Sequence, residues 1–149
     1  MKFIIATFFV FSSAMMSCEQ DIDQSNVPAV VLKTFQSTFP DAQHIEWEKS
    51  GDIYEAEFDL QHVDYNAFID ASGNLILYKY DISINEIPQA VTNTIQADFA
   101  GYRIDDVDLV DKDGEKFYEI ELENNTVDQV VVFSEDGVVT ENVNTFEDK

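Results

Sequence analysis

Two histidines, one cysteine and 30 acidic side chains are the groups in this 149-residue sequence whose chemistry could define a site. Nucleophilic hydrolysis needs a nucleophile, a base and a third group that orients the base. His44 and His62 fit no such set. The sequence puts His44 at the start of a strand and His62 in a hairpin, neither within a Ser- or Cys-centred motif. They could meet across a sheet, but the HExxH or CxxC spacing of a metal site is missing. Carboxylates can also act in pairs, as in glycoside hydrolysis. Glu55, Glu57, Glu119 and Glu121 instead recur at the same place in two similar segments, which points to a solvated sheet face. No catalytic residue, metal ligand set or cofactor is predicted.

The acids between Asp105 and Glu115 raise the question of calcium. An EF-hand loop wants oxygen ligands at positions 1, 3, 5 and 12 around a glycine at 6. Gly114 at the sixth position puts Leu109 first and Ile120 twelfth, and Gly137 puts Val132 and Val143 there. A hairpin turn accounts better for both glycines. Weak cation binding by the stretch Asp108 to Glu115 stands as the alternative function.

Acids outnumber Lys and Arg by 30 to 8, a formal charge of -22. Nucleic-acid recognition runs on clustered basic side chains and is excluded, as is electrostatic docking on anionic lipid. Yet 45% hydrophobic and 13% aromatic residues are too many for a disordered acidic tail, and the length suits one domain.

The apolar run Phe3 to Phe11 behind Lys2 is too short to span a bilayer and reads as the core of a signal peptide over residues 1–17. Its removal takes one cation and no acid, leaving 7 against 30 and a formal charge of -23. The single cysteine, Cys18, stands at the cleavage position, so no intrachain disulfide can form. Either it is a stray thiol, or it is the acylated first residue of a lipoprotein, which Ser17 before it favours. The expected location is the bacterial outer membrane, facing periplasm or exterior, with secretion if Cys18 carries no lipid. Residues 18–26 then form a lipidated N-terminus and polar tether.

Self-comparison organises the rest. Val27-Pro28, Val31, Phe35, Phe39 and Trp47 match Ile87-Pro88, Val91, Ile95, Phe99 and Val107 sixty positions on. Beyond a slip of four, Tyr54 to Phe58 match Tyr118 to Leu122, and Gly73 matches Gly137. Each unit reads as a helix followed by four strands: a stripe of apolar residues at helical spacing, then alternation of apolar with acidic residues. The prediction is an α+β domain over 27–143, with repeats at 27–83 and 87–143 and a tail at 144–149. Its tandem units share one antiparallel sheet of about eight strands with both helices on one face.

These motifs, best formed in Phe39-Pro40-Asp41-Ala42, Trp47, Tyr54-Glu55-Ala56-Glu57-Phe58 and Asp70-Ala71-Ser72-Gly73, resemble the PepSY-like, beta-lactamase-inhibitor-like family of secreted Bacteroidetes proteins. The second repeat departs from them at Ala100-Gly101 and Val107. The resemblance implies tandem helix-plus-four-strand units with a curved sheet, and no activity. Fold alone does not transfer inhibition.

The expected function is therefore a non-enzymatic envelope module that binds a protein or peptide, preferably basic, on its exposed sheet face. That face is predicted to carry Ile53, Glu55, Glu57, Asp59, Phe117, Glu119, Glu121 and Glu123, with Tyr78 and Tyr80 added from the fourth strand. Acids that merely keep a broad sheet soluble are the competing account.

Overall fold

The computed structural model describes residues 20–140 together with Val143 and Phe146. Helices α1 (Ala29–Thr38) and α2 (Gln89–Asp98) cover one face of a single antiparallel sheet. Its strands are β1 (Gln20–Asp21), β2 (Gln43–Ser50), β3 (Ile53–Leu60), β4 (Val63–Asp70), β5 (Leu75–Asp81), β6 (Arg103–Lys112), β7 (Glu115–Glu123) and β8 (Asp128–Ser134). They lie side by side in chain order. The α+β class, the eight strands and the shared helical face are as the sequence predicts.

The makeup of the eight differs from expectation. In the second repeat the fourth strand shrinks to one bridge, Phe133 to Val139. Its counterpart β5 is held between β4 and β6, whereas among the described strands β8 is the neighbour of the bridge at Val139. The eighth strand is β1, from the segment expected to be a tether. The Ile22 N–H donates to the Trp47 carbonyl at 2.9 Å, just as the Ile82 N–H donates to the Val107 carbonyl at 3.0 Å. The first unit therefore includes Gln20–Asp21, ahead of Val27.

A short 3-10 turn follows in each copy. Asp23 Oδ1 accepts from the Ser25 N–H at 2.8 Å, and Ser83 Oγ accepts from the Asn85 N–H at 3.3 Å. Glu86 completes a capping box by accepting from the Ser83 N–H at 2.9 Å. Pro28 and Pro88 stand at the helix entries, with φ of -57° and -56°, where a missing N–H costs nothing.

The helical stripes are packing faces. Val31 and Phe35 of α1, and Val91 and Ile95 of α2, are buried. Phe35 meets Trp47 and Phe58 edge-on at 5.2 and 5.0 Å, giving the first unit an aromatic core. The second core is mainly aliphatic, around Val107, Ile120, Leu122 and Val131. Tyr65 and Tyr80, stacked at 4.7 Å, and the adjacent Tyr78 join the two.

Each helix is also tied to the turn after the third strand of its unit. Thr34 Oγ1 donates to the Gly73 carbonyl at 2.6 Å, and Thr94 Oγ1 donates to the Gly137 carbonyl at 2.8 Å. The glycines match at an offset of 64 and the threonines at 60, so the repeat survives the inserted residues. Gly137 has φ +82°, and a Cβ there would lie 2.6 Å from the Ala90 carbonyl carbon and oxygen. Backbone cannot move aside as a side chain can. Gly137→Ala is expected to cost about 2–4 kcal/mol, combining left-handed strain with overpacking. Gly51→Ala, at φ +60° with nothing within 4 Å, should cost only about 1 kcal/mol from strain. Urea midpoints of the two variants check this, and equal losses would refute the helix contact.

Candidate functional site

The sheet face away from the helices is built by the second set of alternating side chains. Across it, acids stand directly opposite acids. Glu46 pairs with Glu57, Glu48 with Glu55, and Asp59 with Asp64. Asp81 pairs with Asp108, Asp108 with Glu119, and Asp106 with Glu121. Like charges in such positions repel and weaken a sheet. At the far end Glu123 meets Arg103, which also holds Asp105 at 2.7 Å. At the other, His44 Nδ1 pairs with Asp59 at 2.5 Å, on an imidazole 78% exposed.

Two corrections concern what this face looks like. Glu55 and Glu119, expected in solvent, are each only 7% exposed. Glu55 accepts from Asn66 Nδ2 at 2.9 Å, and Glu119 Oε1 lies 3.1 Å from Lys79 Nζ. Tyr78 and Tyr80, grouped with the acids by sequence, lie on the helix side, opposite Ala67 and Tyr65. There burial, with Asp111 beside it, pushes the Tyr78 hydroxyl up to about 12. Lys79 between them takes the open face, 4% exposed and 4.0 Å from Asp108 Oδ2 as well. The alternation Leu77, Lys79, Asp81 was the signal that could have placed it.

The centre of the face is apolar. Phe68, Leu77 and Val110 are buried there, flanked by Ile53, Ile76 and Phe117. The ring of Phe146 stacks on Phe68 at 4.6 Å and 17°. Sequence reasoning placed Ile53 and Phe117 on this face but missed the patch they border. The site is thus a greasy centre ringed by carboxylates, with one buried ammonium among them.

The stretch Asp108 to Glu115, read as a possible cation loop, is a strand end and a tight turn. Asp113 and Gly114 both have positive φ, and Asp111 Oδ1 accepts from the Gly114 N–H at 3.0 Å. The side chains of Asp108 and Asp111 fall on opposite faces of the sheet. Ligand oxygens of Asp81, Asp106 and Asp108 do approach within 4.8 Å of one another. Cys18 and the rest of the signal segment lie outside the described residues. Among the described residues no helix is long and apolar enough to cross a membrane.

The family model "Putative beta-lactamase-inhibitor-like, PepSY-like" matches twice, over residues 14–77 and 70–141. The chain belongs to the PepSY-like family. Three solved structures from Bacteroides share the fold. A DUF2874 family protein of Bacteroides uniformis is 20% identical, with 75% of this chain and 85% of that one covered at a TM-score of 0.69. A BLIP-like protein of Bacteroides fragilis is 21% identical, with 82% and 89% covered at 0.66. A protein of Bacteroides eggerthii, described as "putative periplasmic", is 20% identical, with 76% and 85% covered at 0.70. No match was found among proteins of curated function.

In this PepSY-like domain the crowded acids do not titrate alike. Asp59 is held low, first by its bond to His44, while Asp64 beside it is raised, first by its bond to Asp59. Asp108 is pushed up to about 7 by burial, against the pull of Lys79 and with a push from Glu119, Asp81 and Asp106. Because the unfolded chain ionises this group near 3.8, the fold favours its neutral form. Stability from that preference is full below pH 3.8 and is lost as pH rises to about 7. Asp108→Asn, which stays neutral, should therefore gain on wild type between pH 4 and pH 8. Denaturation midpoints at both values test it, and a gap independent of pH would refute it.

Proposed function

We propose that this chain is a non-enzymatic binding module of the bacterial cell envelope, held by lipid on Cys18 and reading a basic protein or peptide segment on the open sheet face. The observation that carries the reading is the cross-strand opposition of carboxylates, Asp59 with Asp64 and Asp81 with Asp108 among them. Acids needed only for solubility would be at less cost scattered among neutral neighbours. Opposed acids keep a concentrated negative field beside an apolar patch, which suits a partner that brings cations and a hydrophobic anchor. The envelope location is supported by the signal-like N-terminus with Ser17-Cys18 and by the periplasmic description of the Bacteroides eggerthii neighbour. Inhibition by occupancy is one form such binding takes, and the inhibitor-like family description is consistent with it.

The test uses acids that are exposed, so that the fold is spared. Asp81 and Asp106 are exposed on the face, whereas Asp41 and Asp136 are exposed in turns. Crosslinking in intact envelopes should give a discrete adduct with wild type and with Asp41→Lys/Asp136→Lys. It should vanish with Asp81→Lys/Asp106→Lys at unchanged circular dichroism. The same adduct from all three would rule out the open face.

The proximity of Asp81, Asp106 and Asp108 favours a second reading, a divalent cation bridging β5 and β6. Calorimetry with Ca²⁺ decides it: stoichiometric heat lost in Asp106→Asn supports a cation site, and heat unchanged by the substitution dismisses it.

A further inference from the structure

We propose that Phe146 is a displaceable occupant of the open face, and that the partner replaces it with an aromatic side chain flanked by Lys or Arg. The proposal rests on the open-face reading above and adds the chemistry of the ligand and what guards the site. The ring of Phe146 lies nearly parallel to Phe68, over the patch formed with Leu77 and Val110. These three are at most 1% exposed, whereas Phe146 itself is half-buried. Thr140 is still held beside β8, its N–H donating to the Val132 carbonyl at 2.9 Å. Phe146 then reappears over β4, on the far side of β5, β6 and β7.

Two features make this occupant weak. Phe146 has φ +54°, the left-handed region that penalises a residue with a bulky side chain. In sequence Glu147 and Asp148 follow it, so the segment that carries this ring is itself acidic, like the face. The tail therefore supplies a fitting ring with charge of the wrong sign. A segment with the same ring between basic side chains keeps the apolar contact and turns the repulsion from Glu57, Asp81 and Asp106 into attraction.

The experiment measures calorimetric binding of the full chain to an acetylated, amidated Lys-Arg-Phe-Arg-Lys peptide and to its counterpart with Ala for Phe. If the tail fills the patch about nine-tenths of the time, Phe146→Ala should bind the Phe peptide about tenfold tighter than wild type. The Ala peptide should gain nothing, and Phe146→Tyr should restore the wild-type affinity. Methyl resonances of Leu77 and Val110 report independently whether the ring has left. Shifted methyls with unchanged affinity would overturn the competitor while leaving the open-face reading intact. Unshifted methyls in Phe146→Ala would overturn the contact itself. No binding of either peptide by either chain at millimolar concentration would defeat the open-face reading and this inference together.

Discussion

An eight-stranded sheet has two faces, and the two α-helices among the described residues are both committed to one of them. A unit of about 60 residues buries a thin core and is marginal by itself. Joining β5 to β6 solves that problem by making one sheet and one helical layer. It creates another, because the second face is left without a layer of its own. A broad apolar face would aggregate, and a fully polar one would forfeit burial. The sequence answers with a small apolar centre and a surround of acids.

That answer has an electrostatic cost, and its size explains why the fold can carry it. Two like charges about 5 Å apart repel by roughly 1 kcal/mol in water. Each buried Val, Leu, Ile or Phe side chain returns about 1.5–3 kcal/mol, and the two clusters on the helical face hold fifteen of them. Where the acids become too crowded for water to screen them, the structure intervenes locally. Lys79 is drawn under Asp108 and Glu119, Asn66 donates to Glu55, and Asp108 is tuned towards its neutral form. The Lys79 ammonium at the middle of the face fits this: removing it would leave buried Glu119 facing half-buried Asp108 with no cation between them.

Most of the fold was legible because it is written twice. The offset of 60 ties Val31 to Val91 and Phe35 to Ile95, and the alternation around Tyr54 and Tyr118 gives the helical face directly. Alternation tells which side chains share a face, and it does not tell what covers that face. Hence Glu55 and Glu119 were placed on the correct side and given the wrong burial. Tyr78 and Tyr80 failed for another reason. β5 carries aromatics on one face and Leu77 on the other, so hydrophobicity alone gives no phase; the charges of Lys79 and Asp81 carry it, and the pairing with Ala67 and Tyr65 fixes it. The strand at Gln20–Asp21 was invisible because two residues show no period. Its role comes from bonds to β2, the same bonds that Ile82 makes to β6.

The early start of the fold also bears on how the domain would meet a membrane. On the proposal that Cys18 is lipidated, the anchor would stand two positions before Gln20, the first residue of β1, in the sequence. β1 is one edge of the sheet and β8 is the other, seven strand spacings or about 34 Å away. On that proposal the anchor would lie at the β1 edge, and the sheet could stand on end with its strands stacked outward from the bilayer. Anionic headgroups would repel the acidic face and keep it from lying flat. The patch around Phe68, Leu77 and Val110 spans β4 to β6, midway along that stack. On that proposal the open face would stand side-on to a partner approaching along the envelope, clear of the repulsion that a flat orientation would bring.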